Sequence, residues 1–184
     1  LWIRADVGTV NKILEAIGMV ESPPVFDFSR VIPYPEPFAS MDRDMEAIRG
    51  KEYVAAPDKL APYVAKWGTT KDGFDSGGYG WRTENWGTKW GAYECVLMDE
   101  DHHGEGEISY QFNTAWETFN NRVSIAMSSV FPTLRFELTY FEPGMGFKGE
   151  RVWNFHDGLV MKCVDDYRDD DDCPFQYECL VSAG

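Results

Sequence analysis

The sequence is poor in the residues that build metal, thiol and membrane sites. Its 184 residues include four cysteines and three histidines, and no two cysteines form a CxxC pair. No apolar run approaches the roughly 20 residues of a membrane-spanning helix, and no secretory signal is recognisable. We therefore expect a cytoplasmic protein with reduced thiols, neither a disulfide-rich secreted domain nor a membrane protein.

Basic residues are also scarce. Seventeen lysines and arginines stand against 31 aspartates and glutamates, so the formal net charge is -14 at pH 7. A chain this acidic is repelled by phosphate backbones and by anionic membrane surfaces, and it releases no counterions on approaching them. The sequence therefore predicts partners that are neither nucleic acid nor membrane.

Familiar catalytic signatures are missing as well. There is no GxSxG and no HExxH, so no catalytic residue and no cofactor is predicted, and an enzyme is kept only as an alternative. The glycine-rich segment 142–146 lacks the lysine and hydroxyl of a phosphate-binding loop. It is typical of a wide turn that requires positive φ, although Gly144 and Gly146 are retained as candidate binding residues.

Two clusters could be mistaken for metal sites. His102 and His103 are adjacent at the tip of a predicted polar turn, where both cannot readily face one ion. The run 165–172 lacks the glycine and glutamate of a calcium-binding EF-hand loop. No metal is predicted at either cluster. Cys173 and Cys179 could form a disulfide in oxidising solution, but their spacing does not favour zinc.

Two periodicities divide the chain into strands and helices. Strict alternation of apolar and polar residues, clearest at 107–113 and 134–140, predicts half-buried strands. Apolar residues from Phe119 to Val130 share one face of a helix, which Pro132 ends. The predicted strands are 1–3, 25–28, 92–98, 107–113, 134–140, 152–155 and 159–164, and the predicted helices are 10–17, 41–48, 59–67 and 119–130.

The remaining segments suggest a single domain over residues 1–184. Prolines 33, 35 and 37 predict an extended path without helix. Residues 39–90, with a loop at 68–80, are interpreted as an irregular insertion that is too poor in apolar residues to form its own core. Residues 165–184 are interpreted as an acidic C-terminal tail. Because Leu1 already belongs to a predicted strand, we expect a short segment to precede it.

The most unusual pattern is aromatic. WGTKWGAY at 86–93 contains Trp86, Lys89 and Trp90, and FNTAW at 112–116 ends at Trp116. Aromatic rings beside a cation can form a binding surface that stacks on a ligand. Tryptophans at the entry to a strand can also fill the core of the sheet, and this interpretation is favoured because large aromatic residues are usually core residues. Both interpretations stay open from the sequence.

These motifs, together with FPTLRFELTYFEPGMGF at 131–147 and FDFSRVIPYPEP at 26–37, resemble the YubB-like family of plasmid and phage proteins. The resemblance implies an α+β, ferredoxin-like fold, in which helices pack on one face of an antiparallel-rich sheet. It also implies a mobile-element setting, but no activity.

The leading functional hypothesis is therefore a non-catalytic accessory protein of a mobile element. It would bind a host or mobile-element protein in the host cytoplasm. One alternative is a DNA mimic whose surface carboxylates inhibit a DNA-binding or defence protein of the host. Another is an enzyme of unknown reaction.

Overall fold

The computed structural model describes residues 2–4, 12, 15–16, 25–50, 56–97, 107–142, 144, 146–154, 160–167 and 179–182. Seven strands and four α-helices lie in these parts of the chain. The strands are β1 (Trp2–Arg4), β2 (Tyr93–Leu97), β3 (Glu107–Asn113), β4 (Arg135–Glu142), β5 (Phe147–Asn154), β6 (Val160–Tyr167) and β7 (Cys179–Ser182). The helices are α1 (Glu36–Arg49), α2 (Pro57–Trp67), α3 (Tyr79–Trp86) and α4 (Asn121–Val130).

The strands form one sheet in the order β2-β3-β1-β4-β5-β6-β7, and every neighbouring pair is antiparallel. Short β1 lies between β3 and β4 and joins the β2–β3 hairpin to the four-stranded meander β4 to β7. Helix α4 connects β3 to β4, as in a ferredoxin-like unit. The predicted α+β, ferredoxin-like class is confirmed.

Alternation along β4 builds the centre of the core. Leu134, Phe136 and Leu138 are almost fully buried, whereas Arg135 and Thr139, on the opposite face, are exposed. Phe136 pairs with Trp153 of β5, and their rings stack with centroids 5.3 Å apart. The strand and its buried face were both predicted correctly, because period-two alternation is read directly from sequence.

Helix α4 covers this face with Val123 and Met127, which are completely buried. Asn120 caps the helix by accepting hydrogen bonds from the backbone amides of Arg122 and Val123. The predicted face was wrong at its C-terminal end, since Val130 is 54% exposed. The buried face is instead completed by Ser124 and Ser128. The buried face of α4 is therefore rotated relative to the predicted face, and position 130 lies at the edge of the buried face.

The predicted strand 25–28 is not a strand. Phe26 and Phe28 are both fully buried, as alternation suggested, but Phe28 begins a 3-10 turn over Phe28–Arg30. The Asp27 carboxylate accepts a hydrogen bond from the Ser29 amide at 2.8 Å. This local cap competes with strand pairing and bends the chain.

The expectation that the prolines exclude helix was wrong at Pro37. Helix α1 begins at Glu36 with Pro37 in its first turn. A proline is tolerated there because the first amides of a helix have no partner within the helix. Pro33 and Pro35 do precede the helix, as predicted.

Residues 39–90 are more regular than predicted. The two expected helices are present and longer, as α1 and α2. The prediction of a loop at 68–80 is wrong in its second half. There a π-helical turn at Phe74–Gly78 leads directly into α3. The segment also has a small core of its own, in which Met45 and Tyr63 are buried against Ile48, Leu60 and Trp67. Its status as an insertion within one domain stays a prediction.

The last strands extend the sheet. The predicted strands 152–155 and 159–164 correspond to the β5–β6 hairpin, whose turn lies outside the described residues. Strand β6 continues to Tyr167, so the predicted tail begins within the sheet, and β7 pairs with β6. Cys179 lies opposite Cys163 in that pairing, while Cys173 falls outside the described part.

Two further predictions cannot be compared with the structure. Most of the predicted helix 10–17 and the pair His102 and His103 lie outside the described residues. Within the described parts of the chain, none of the helices is both long and apolar enough to cross a bilayer.

Candidate functional site: a lysine between two exposed tryptophans

The structure separates the three tryptophans that the sequence grouped together. Trp86 ends α3 inside the core, where it is 4% exposed and donates from Nε1 to the carbonyl of Ile32 at 3.0 Å. It is therefore a core residue. Trp90 and Trp116 are 42% and 61% exposed, so the core interpretation is wrong for both of them.

Gly87 turns the chain between Trp86 and Trp90. Its φ of +85° is left-handed, and an added Cβ would lie 2.7 Å from the Asn120 amide nitrogen. That amide donates to the Trp86 carbonyl at 2.8 Å, so the end of α3 is held against the start of α4. Only glycine can adopt this left-handed conformation at no steric cost and also leave room for the backbone of Asn120. The turn directs the following residues to the surface.

Lys89 lies between the two exposed indoles. Its Nζ is 3.4 Å from the ring centroid of Trp116 and 4.4 Å from that of Trp90. Both distances fall within the range of attractive cation–π contacts. The lysine therefore contacts both rings, while 42% of Trp90 and 61% of Trp116 face solvent. We call Lys89, Trp90 and Trp116 the Trp–Lys surface.

Trp116 has an unfavourable backbone conformation for its residue type. Its φ is +69°, and only one other described non-glycine residue, Glu94, has a positive φ. A bulky residue in this region costs of order 1–3 kcal/mol and persists only where surrounding contacts impose it. Here Ala115 is buried, and the Thr114 hydroxyl donates to the Glu117 carbonyl at 2.7 Å. The strained turn presents the indole of Trp116 to solvent.

Three cavities adjoin this surface. One, of about 470 Å³, is lined by Trp90 with Asp42 and Arg82 among others. A second, of about 450 Å³, is lined by Lys89, Trp116, Tyr79 and Glu117 among others. A larger one, of about 620 Å³, lies between the ends of β3 and β4 and is bounded at one end by Trp116. Trp116 and Glu117 line both the second and the third of these cavities.

The two candidate glycines lie in the β4–β5 turn. The Gly144 amide donates to the Glu142 carboxylate at 2.7 Å, and the Gly146 amide donates to the Glu142 carbonyl at 2.9 Å. Gly146 has a φ of +71°, as the turn interpretation requires. Both amides are used within the turn itself.

A second polar cluster was missed by sequence reasoning. The Asp42 carboxylate accepts hydrogen bonds from the Tyr34 hydroxyl and from Arg82, each at 3.2 Å, and from the Phe74 amide at 2.8 Å. The Arg82 guanidinium lies 4.1 Å from the Tyr34 ring centroid. These residues are up to 48 positions apart, and no spacing motif links them. The cluster fastens α1 to α3.

Tyr34 provides a pH-dependent test of this cluster. Burial, opposed by Arg82 and reinforced by Asp42, raises the pKa of Tyr34 to about 12 from a usual value of 10.0. The neutral phenol is thus favoured in the folded state. Its contribution to stability is complete below pH 10 and is lost as the pH rises through about 12.

We therefore expect Tyr34→Phe to remove one late-ionising phenol. The measurement is a tyrosinate absorbance titration of the folded protein and of the variant. Loss of a phenol that ionises near pH 10, with the late phase unchanged, would contradict the assignment.

Two further titratable groups in the described part of the chain have pKa values that burial raises. Burial raises the pKa of the Cys95 thiol, which keeps it protonated and a poor nucleophile at neutral pH. Burial also raises the pKa of Tyr110 to about 12. Within the described parts of the chain, no group of three or more histidine, cysteine, aspartate or glutamate residues could hold a metal ion.

Comparison with known proteins gives one match. The sequence model of a family described as "Ferredoxin-like domain in Api92-like protein" matches residues 86–178, just over half of the chain. No curated protein and no solved structure is significantly similar to this chain. The match contains Trp86, the Trp–Lys surface, and β2 to β6. The chain therefore belongs to the family that is defined by this ferredoxin-like domain of Api92-like proteins.

Proposed function

We propose that this protein is a non-catalytic protein-binding module, and that its partner docks on the Trp–Lys surface. The observation that carries the proposal is the pair of exposed indoles held by Lys89. Tryptophan contributes disproportionately to protein interfaces, because a rigid aromatic side chain buries a large area at little entropic cost. The contacts of Lys89 with both rings favour this arrangement before binding, which lowers the entropic cost of ordering the rings.

The protein's charge favours a protein partner over other ligands of aromatic surfaces. Nucleobases also stack on tryptophan, but the net charge of -14 repels a nucleic acid backbone and an anionic membrane alike. We infer a partner with a neutral or basic contact surface. The resemblance to plasmid and phage proteins supports a host or mobile-element protein in the host cytoplasm.

A direct test is capture of partner proteins from a host lysate on the immobilised protein, with quantification by mass spectrometry. We expect Trp116→Ala to reduce recovery of the specific partner about tenfold or more, because truncation of a hot-spot tryptophan costs about 2 kcal/mol or more. Trp90→Ala should act in the same direction.

Val130→Ala is the matched control, since Val130 is equally exposed but lies on α4. It should leave recovery unchanged. Thermal unfolding of each variant separates lost binding from lost folding. Undiminished recovery with both tryptophan variants would exclude the Trp–Lys surface as the docking site.

The net charge of -14 also favours a second candidate, the DNA mimic. In that case a captured DNA-binding protein would be released by added duplex DNA. Its capture would depend on surface carboxylates rather than on Trp90 and Trp116. The same capture experiment, repeated with competing DNA, therefore distinguishes the two functions.

A further inference from the structure

The cavity of about 450 Å³ beside the Trp–Lys surface is built from one helix and two turns. Its lining residues lie between 79 and 89, in α3 and the turn that follows it, and between 115 and 117, in the turn after β3. Both parts fall within stretches that the structure describes without interruption, 56–97 and 107–142. The walls of this cavity are therefore fully described.

The cavity has a floor of small residues and an aromatic rim. Thr88 and Ala115 are buried, so they form the floor, and Gly87 beside Thr88 adds no side chain. Tyr79 and Trp116 are exposed and form the rim. A compact apolar group of a ligand would therefore lie on this floor and contact exposed aromatic rings.

The polar groups of the cavity leave hydrogen-bond donors free. The hydroxyls of Thr83 and Thr88 already donate to backbone carbonyls. Within the described part of the chain, by contrast, the indole N–H of Trp116 has no acceptor and the ammonium of Lys89 has no carboxylate partner. Backbone carbonyls in a polyproline II helix have no internal hydrogen bonds, and proline brings no N–H that would need an acceptor. A proline-rich segment therefore complements these donors.

Two other conformations of a bound segment fit the cavity less well. Strand addition needs an unpaired strand edge, but the residues that line the cavity belong to a helix and to turns outside β2 and β3. An amphipathic helix needs an apolar groove for its anchors, whereas both Lys89 and Glu117 line this cavity. Polyproline segments dock in grooves lined by aromatic side chains, as here.

Charge specifies the residues that flank the prolines. Glu117 is exposed at the cavity, and its carboxylate has no partner within the described stretches. The protein as a whole carries a net charge of -14. A basic residue beside the prolines would pair with Glu117 and be attracted by the field of the whole protein.

We propose that this cavity binds a proline-rich segment of the partner protein in the polyproline II conformation, flanked by a basic residue. The prolines lie on the floor against Tyr79 and Trp116, and the segment's carbonyls accept from the Trp116 indole and from Lys89. The basic side chain lies against Glu117. This inference rests on the proposed protein-binding function and specifies the composition and conformation of the docking segment. Such a segment loses little entropy on binding, because its helix is already formed in the free chain.

The experiment uses the full chain and the synthetic peptide Lys-Pro-Pro-Pro-Pro-Lys, with binding followed by amide and indole N–H chemical shifts. The prolines complete one turn of about three residues, and a lysine at each end makes the test independent of the direction of binding. We expect saturable shifts concentrated in residues 79–89 and 115–117 and at the Trp116 indole. Replacing every proline with alanine should weaken binding about tenfold, because the alanine peptide is not preorganised. Replacing both lysines with glutamate should weaken it about tenfold as well.

Variants of the protein test the rim and the charge separately. Tyr79→Ala should weaken peptide binding about tenfold, whereas Tyr79→Phe keeps the ring and should bind within about twofold of the unchanged protein. Glu117→Gln should weaken binding about threefold and keeps the test intact if Tyr79→Ala fails to fold. Glu46→Gln is its matched control, because Glu46 is an exposed acid on α1 that does not line the cavity.

Equal binding of the alanine peptide, no binding of the proline peptide, or shifts that lie elsewhere would overturn the inference. Shifts of the same residues by an oligosaccharide such as cellohexaose, in place of the peptide, would assign the cavity to carbohydrate and would overturn it too.

The result is separable from the proposed function, because Tyr79 is not part of the Trp–Lys surface. If Tyr79→Ala leaves partner capture unchanged while Trp116→Ala reduces it, this inference fails and the Trp–Lys surface remains the docking site. If the peptide binds as expected but both tryptophan variants capture the partner undiminished, the proposed docking site fails instead.

Discussion

Gly73→Ala should lower the free energy of unfolding by about 3 kcal/mol, the upper end of the usual cost of overpacking. A Cβ built on Gly73 would lie 1.9 Å from the carbonyl oxygen of Phe38, in the first turn of α1. Because the colliding atom belongs to the backbone, no side-chain rotation can relieve the overlap. The turn before α3 would have to move away from α1, which would also disturb the Asp42 contact with Phe74.

Gly80→Ala is the control for this prediction. Gly80 lies in α3, and a Cβ at this position meets no atom within 4 Å. Alanine is the better helix former, so this variant should be unchanged or more stable by up to about 1 kcal/mol. Denaturant unfolding of both variants measures the difference. Equal stability of the two would mean that α1 and the turn are not packed this closely.

Phe136→Ala should cost about 3 to 5 kcal/mol, as removal of a buried phenylalanine usually does. Phe136 is fully buried at the centre of the sheet, stacked on Trp153 and covered by the core residues of α4. The side chain is surrounded by the sheet and the helix, so the core cannot collapse fully into the space that is left.

Phe141→Ala provides the comparison on the same strand. Phe141 is 70% exposed, and its removal should change stability by less than about 0.5 kcal/mol. Trp90→Ala should likewise cost far less than Phe136→Ala, because 42% of Trp90 is already exposed. If Trp90→Ala lowered the free energy of unfolding as much as Phe136→Ala does, Trp90 would have to be a core residue.

Local patterns in the sequence were sufficient to predict most strands of the sheet. Alternation identified β3 and β4, and Pro132 marked the end of α4, because each depends on residues that are neighbours along the chain. The same reasoning failed at 25–28, where an aspartate cap outweighed the alternation. It also failed at Pro37, because a proline's effect depends on its place in the helix.

The candidate site, too, was predicted only in part from the sequence. The sequence brought attention to Trp86, Lys89, Trp90 and Trp116, but it could not separate the buried tryptophan from the exposed ones. That separation depends on the turn at Gly87 and on the strained backbone of Trp116, which place Lys89 between two rings that lie 26 positions apart in the chain.

By itself, the sequence determined the charge of the protein, the alternation of its strands and the family to which it belongs. Tertiary structure alone decided which aromatic rings face solvent, how Asp42 joins Tyr34 to Arg82, and that β1 pairs with both β3 and β4. The physical reason is that periodicity records which face of an element is apolar. Exposure and strand pairing depend on contacts between elements that are far apart in the chain.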